Sequence, residues 1–171
     1  MNKAIKGCII RPNGDVREAH LTRIADKYVL PTDLIFSEKP TLNSVLIEFP
    51  VLVVRLNPIE IVPGDAYHKN TPATCLNVGN MGLVSVDWQR KVGAVLVVRM
   101  DRKPLYSMHL EALWKFHWTV LSAVGSFAGW EATGQKRSPK AAFEAFWHEY
   151  QKKQIEAGRE DWEELVSPYD V

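Results

Sequence analysis

Three groups of residues have the types and the spacing to do chemistry. The first centres on His117. On a helical wheel, Leu110 and Val124 fall within about 20° of it, Leu113 and Leu121 within about 40°, and Trp114 at about 60°. A histidine on such an apolar stripe must find a partner or line a cavity. It is either a core imidazole bonded to a backbone carbonyl, or a general acid–base group in an apolar pocket walled by Trp114 and Trp118. His109 lies about 80° away, in the first turn, where the helix dipole disfavours its protonated form. It reads as a neutral hydrogen-bonding imidazole or as an exposed residue. Glu111, about 120° from His117, is matched by Lys115 four residues on, the spacing of a surface ion pair.

The second group is Arg99-x-Asp101-x-Lys103. If the strand continues, all three charges share one side. If the chain turns ahead of Pro104, Asp101 bonds its own backbone and Arg99 pairs locally. The third group, Asp87-Trp88-Gln89-Arg90, mixes a carboxylate, an indole and a guanidinium in a turn between strands. Such a turn lines a pocket mouth or simply closes a hairpin. From these groups His117 and Asp87 are the candidate catalytic residues. Trp88, Arg99, His109, Trp114 and Trp118 are the candidate substrate-binding residues.

Other chemistries find no support. None of the five histidines stands in a His-Glu-x-x-His or His-x-His spacing, and His109 and His117 lie about 12 Å apart along a helix. No metal site is therefore expected. There is no Gly-x-Ser-x-Gly elbow, no phosphate-binding glycine loop and no dinucleotide fingerprint, so no cofactor is expected either. Cys8 and Cys75 read as small buried hydrophobes in a reducing compartment.

These residues need a scaffold, and 171 residues fit one domain. About 70% of the unfolded chain's surface can be buried at that size. With 21 Lys and Arg against 20 Asp and Glu, there is no basic footprint for nucleic acid. The longest aliphatic runs, Val51–Val54 and Ala94–Val98, are far below the roughly 18 residues of a membrane span. No secretory leader is visible, so the expected setting is the cytoplasm.

Strand signals come first along the chain. Ala4–Arg11 leads into Asn13-Gly14, which predicts a type I′ hairpin with a return strand over Asp15–Leu21. A polar, proline-punctuated stretch follows Leu21, with Pro31 and Pro40 in it, and reads as loop with one short element around Leu34–Phe36. Further strands are expected at Val45–Ile47, Val51–Val54, Ile59–Val62, Cys75–Val78, Leu83–Trp88 and Val92–Met100. The unalternating Ala94–Val98 run predicts a central strand covered on both faces.

The period then changes to 3.6. Ser107 is the expected N-cap of a helix running to about Val124. A second helix starts at Pro139 after Ser138, carries Phe143, Phe146, Trp147 and Tyr150 on one stripe, and ends near Gly158. Strands followed by helices make an α+β fold, an antiparallel or mixed sheet from the N-terminal two-thirds with two C-terminal helices packed on it.

Trp88-Gln89-x-x-Val92-Gly93, Val98-Arg99-x-Asp101-x-Lys103-Pro104-Leu105, His109-Leu110-Glu111-Ala112 and the ending Trp162…Ser167-Pro168-Tyr169 resemble a family of uncharacterised fungal proteins. The similarity covers roughly residues 46–171. Some members look as if they carry an additional MYND-type zinc finger, which two isolated cysteines cannot supply. The resemblance implies a fungal, intracellular protein and no particular reaction.

Two functional expectations follow. One is a cofactor-independent isomerase, cyclase or dehydratase acting on an apolar small molecule held between sheet and first helix. The other is a non-catalytic interaction module, as a homodimer, using the aromatic residues that stand off the core stripe.

Overall fold

The run Arg11-Pro12-Asn13-Gly14-Asp15 reverses the chain and sets the register of everything after it. The computed structural model describes residues 4–25, 27–32, 35–37, 51–56, 93–99, 101–116, 118–119 and 139–167. In it, strand β1 (Ala4–Ile10) returns antiparallel as β2 (Val16–Ile24). The Gly14 N–H donates to the Arg11 carbonyl at 2.9 Å, and the Arg11 N–H donates to the Asp15 carbonyl at 2.9 Å. Gly14 has φ +94°. This is a three-residue loop, a type I turn through Pro12 and Asn13 followed by a left-handed glycine, and not the expected two-residue type I′ turn. Proline decides between them. A type I′ turn on Asn13-Gly14 would make Pro12 a ladder residue with no N–H to give, whereas its fixed φ suits the first central position of type I.

The chain continues as β3 (Lys27–Val29), β4 (Ile35–Ser37), β5 (Val51–Leu56) and β6 (Val95–Arg99). Among the described residues every pairing is antiparallel, and β6 returns to pair with β1, so these six strands close into a barrel. The expected sheet is thus present but curled shut. The stretch that gave β3 reads in sequence as polar loop, since three residues are too few to show a period. The strands expected at Val45–Ile47, Ile59–Val62, Cys75–Val78 and Leu83–Trp88 lie outside the described residues.

Alternation divides β1 and β6 between two cores. Ile5, Leu96 and Val98 point into the barrel with Leu21, Tyr28, Leu30 and Phe36. Cys8, Ile10, Val95 and Val97 point outward beneath the helices. All five residues of β6 are buried, as an unalternating strand covered on both faces should be. Inside the barrel the strands approach closely at Gly7. A Cβ there would lie 2.8 Å from the Val97 carbonyl oxygen, 2.8 Å from Val98 Cγ1 and 3.2 Å from Leu21 Cδ1. Gly7→Ala is therefore expected to destabilise the fold by about 1–3 kcal/mol through overpacking. Denaturant midpoints measure this, and an unchanged midpoint would contradict the close approach.

Helix α1 (Ser107–Phe116) and helix α2 (Pro139–Glu156) cover the outer face. Residues 118 and 119 continue α1 in a wider, π-type turn. The start of α1 corrects the expected cap. Tyr106 occupies the cap position, and its N–H donates to Nδ1 of His109 at 3.1 Å. His109 fills the place that Glu or Gln takes in a capping box. Ser107 instead gives its own N–H and hydroxyl to the Glu18 carboxylate of β2, at 2.9 and 3.2 Å.

The buried residues of α1 are His109, Leu110, Ala112, Leu113 and Phe116. Their mean direction centres the buried stripe near His109 and Leu113. His117 itself lies outside the described residues.

Helix α2 starts at Pro139 and buries Phe143 and Trp147, with Phe146 and Tyr150 half-buried beside them. Its end is a Schellman motif. The Arg159 N–H reaches the Gln154 carbonyl at 3.0 Å, the Gly158 N–H reaches that of Ile155 at 2.9 Å, and Gly158 has φ +87°. A single 3-10 turn, Glu160–Trp162, then tucks Trp162 fully under α2. Gln151 Nε2 holds it there, donating to the carbonyls of Trp162 and Leu165 at 2.7 and 2.8 Å. Among the described residues, no helix is long and apolar enough to cross a membrane.

Candidate functional site

Arg99 and His109 are brought together by the fold. Arg99 closes β6, His109 sits in the first turn of α1, and both border a cleft of about 280 Å³ with Lys103, Tyr106, Leu165 and Val166. The local chain explains the cleft's shape. Arg99 is 4% exposed, and its guanidinium forks onto Asp101, Nε to Oδ1 at 2.9 Å and Nη2 to Oδ2 at 2.6 Å. Asp101 Oδ1 also accepts the Lys103 N–H at 3.0 Å. Of the two arrangements open to Arg99-x-Asp101-x-Lys103, the chain takes the turn. The Arg99 hydrogen bonds hold the Asp101 carboxyl below its ordinary range despite some burial.

His109 is buried, not exposed, and both ring nitrogens are in use. With Nδ1 accepting from Tyr106, Nε2 carries the proton and donates to the Val166 carbonyl at 2.8 Å. Burial pushes its pKa down to about 4, only partly opposed by the Val166 bond. The imidazole is therefore neutral at pH 7, fixed in one tautomer, and ties the start of α1 to the C-terminal segment. A proton relay needs a nitrogen open to substrate. This histidine positions backbone.

Trp114 and Trp118 do not line the cleft. Trp114 is half-buried against the helix–sheet core, and Trp118 stands 59% exposed. His117, Asp87 and Trp88 lie outside the described residues. Glu111 leaves its expected partner Lys115 for the guanidinium of Arg159, at 2.6 and 3.0 Å, and accepts the Tyr150 hydroxyl at 2.8 Å. Partial burial and that carboxylate raise the Tyr150 phenol to about 12. Cys8 is fully buried, its thiol pushed by burial to about 12, so it behaves as a hydrophobe and not as a nucleophile. Among the described residues, no group of three or more His, Cys, Asp or Glu could hold a metal ion.

A larger cavity lies elsewhere, where sequence reasoning placed nothing. At the β1–β2 turn end, the barrel opens into a space of about 540 Å³ over an apolar floor of Ile9, Leu30, Phe36 and Ala94. Arg11 and Arg17 stand at its rim with Asp15 and Thr32. The hairpin register puts Arg17 there. It pairs with Ile9, whose side chain belongs to the inner face, so Arg17 shares that face one strand over. The size falls within the range of small-molecule pockets, and barrel mouths are a recurrent place for them. No local pattern in the sequence marks this cavity, since the hairpin register alone turns Arg17 inward, onto the face that also carries Ala19, Leu21 and Arg23.

Compared with protein-family models, with curated proteins and with solved structures, the chain matches none of them.

Proposed function

We propose that this protein binds an apolar small molecule, without a cofactor, in the open end of its barrel. The observation that carries this reading is the cavity of about 540 Å³ over Ile9, Leu30, Phe36 and Ala94. The space between sheet and helices, expected to hold the ligand, is filled over its described part by Cys8, Ile10, Val95 and Val97 against Leu110, Leu113, Phe143 and Trp147. A cytoplasmic setting goes with this reading, since Cys8 is a free thiol.

The test is a fluorescence titration with an uncharged apolar dye such as 1-aminoanthracene. Saturable binding is expected, weakened at least about tenfold by Ala94→Trp, which fills the floor; tenfold corresponds to about 1.4 kcal/mol. An unsaturable wild-type titration, or equal binding by a folded Ala94→Trp variant, overturns the proposal. A separate catalytic proposal, an isomerisation, cyclisation or dehydration, gives His117 and Asp87 the acid–base roles, and both lie outside the described residues. Full turnover by a His117→Ala variant removes His117 from that role.

Trp118 favours a second reading, a homodimeric interaction module, because a tryptophan 59% exposed offers an anchor of the kind that dominates interfaces. Concentration-dependent sedimentation that Trp118→Asp abolishes would support it.

A further inference from the structure

We infer that the ligand of the barrel mouth is an amphipathic monoanion, a carboxylate on an apolar body, with Arg17 as the group that reads its head. The inference rests on the barrel-mouth reading and adds the chemistry of the head group. The floor asks for hydrocarbon, since Ile9, Leu30 and Phe36 are apolar and Phe36 is fully buried. The rim asks for negative charge.

Arg17 stands on the inner face of β2 beside Ile9, and Arg11 directly follows the last residue of the strand next to it. Neither guanidinium has an ion pair or a side-chain hydrogen bond among the described residues, unlike Arg99 and Arg159, which fork onto carboxylates. The one rim carboxylate among the described residues, Asp15, is engaged by its own turn. Its Oδ2 accepts from Asn13 Nδ2 at 3.0 Å, while its N–H donates to Asn13 Oδ1 at 3.0 Å.

Among the described lining residues, two cations against one anion leave a single net positive charge over an apolar floor. That balance suits a monoanion better than a dianion such as a phosphate monoester. A guanidinium presents paired N–H donors that match a carboxylate's two oxygens, so one arginine can orient the head while the floor takes the tail. An arginine turned to the inner face of a small barrel gains little for folding while it remains exposed. A ligand that brings its own carboxylate gives it a partner.

The experiment compares octanoate with 1-octanol, which share an eight-carbon chain and differ in the head group, each displacing the fluorescent dye from the wild-type protein. Octanoate is expected to bind at least about tenfold more tightly, a margin that charge-assisted hydrogen bonds supply. Raising the salt should narrow the margin, because the rim is open to solvent. In Arg17→Gln the preference should fall to within about threefold. In Lys27→Gln, at the opposite end of β2's partner strand, it should stay at tenfold. Circular dichroism checks that both variants remain folded. Equal binding of octanoate and octanol by the wild type, or an undiminished preference in Arg17→Gln, overturns the head-group inference and leaves the pocket standing. Failure of the dye and both compounds to bind overturns the pocket, and the inference falls with it.

Discussion

Between pH 6.5 and about pH 4 the protein is expected to lose about 3 kcal/mol of stability through one imidazole, His109. Unfolded, this histidine takes up a proton as the pH falls through 6.5; folded, it resists until about 4. Within that window the unfolded chain binds the extra proton, so stability rises with pH and is complete above 6.5. The cause is geometric as well as electrostatic. Protonation would put a hydrogen on Nδ1, facing the Tyr106 N–H it now accepts from, and would leave a charge in a site 2% exposed.

The carboxylates held low by their partners, Glu18, Asp101 and Glu111, lose their contribution only in more acid solution, below the ordinary carboxylate range. The two effects therefore occupy different parts of the pH axis. Urea midpoints measured from pH 7.5 to pH 4 should fall steadily in the wild type and stay level in His109→Gln. A slope that survives the substitution would assign the loss to some other group.

The largest single-residue loss is expected at Trp147. Its ring is 1% exposed and lies 5.6 Å from His109, 5.7 Å from Trp162 and 6.3 Å from Phe143, centre to centre. It therefore joins α1, α2 and the 3-10 turn in one contact. Trp147→Ala removes that joint and leaves a hole that rigid neighbours cannot close, at a cost of about 3–5 kcal/mol. For a domain whose total stability is of order 5–15 kcal/mol, this brings unfolding within reach of ordinary temperatures. Trp118→Ala is the matched control, since an exposed side chain away from the core changes stability by less than about 0.5 kcal/mol. Equal effects at the two tryptophans would show that α2 is not docked as described.

Local features were legible in the sequence. Pro139, the aromatic stripe and Gly158 mark α2 from end to end because each acts within one or two turns of helix. The unbroken Ala94–Val98 run marked a doubly covered strand for the same reason. What escaped depends on distant partners. Closure of the barrel rests on Val97 meeting Cys8 across about half of the chain, and no local pattern encodes that meeting. His109 lay on the edge of the wheel, and only Val166, far along the chain, makes it a buried strut. Glu111 had a helical partner at the right spacing. A guanidinium offering two N–H groups, together with a phenol, outcompetes one flexible ammonium.

Arg17 turned on a single residue. A two-residue Asn13-Gly14 turn would pair Ile10 with Arg17 and aim the arginine outward. The loop that Pro12 imposes shifts the pairing by one and aims it inward. The candidate site thus depended on a turn type, and the turn type on a proline. His117 and Asp87, the proposed catalytic pair, lie outside the described residues, so the described geometry bears on Arg99, His109, Trp114 and Trp118 alone.

The ring formed by β1 and β6 also decides how this protein can meet other chains. An open sheet ends in two strands with unpaired N–H and C=O groups, which invite a neighbouring molecule to add a strand and, at high concentration, to build cross-β aggregates. Here each of the six strands has a neighbour on both sides. Self-association by edge pairing is thereby disfavoured among these six strands.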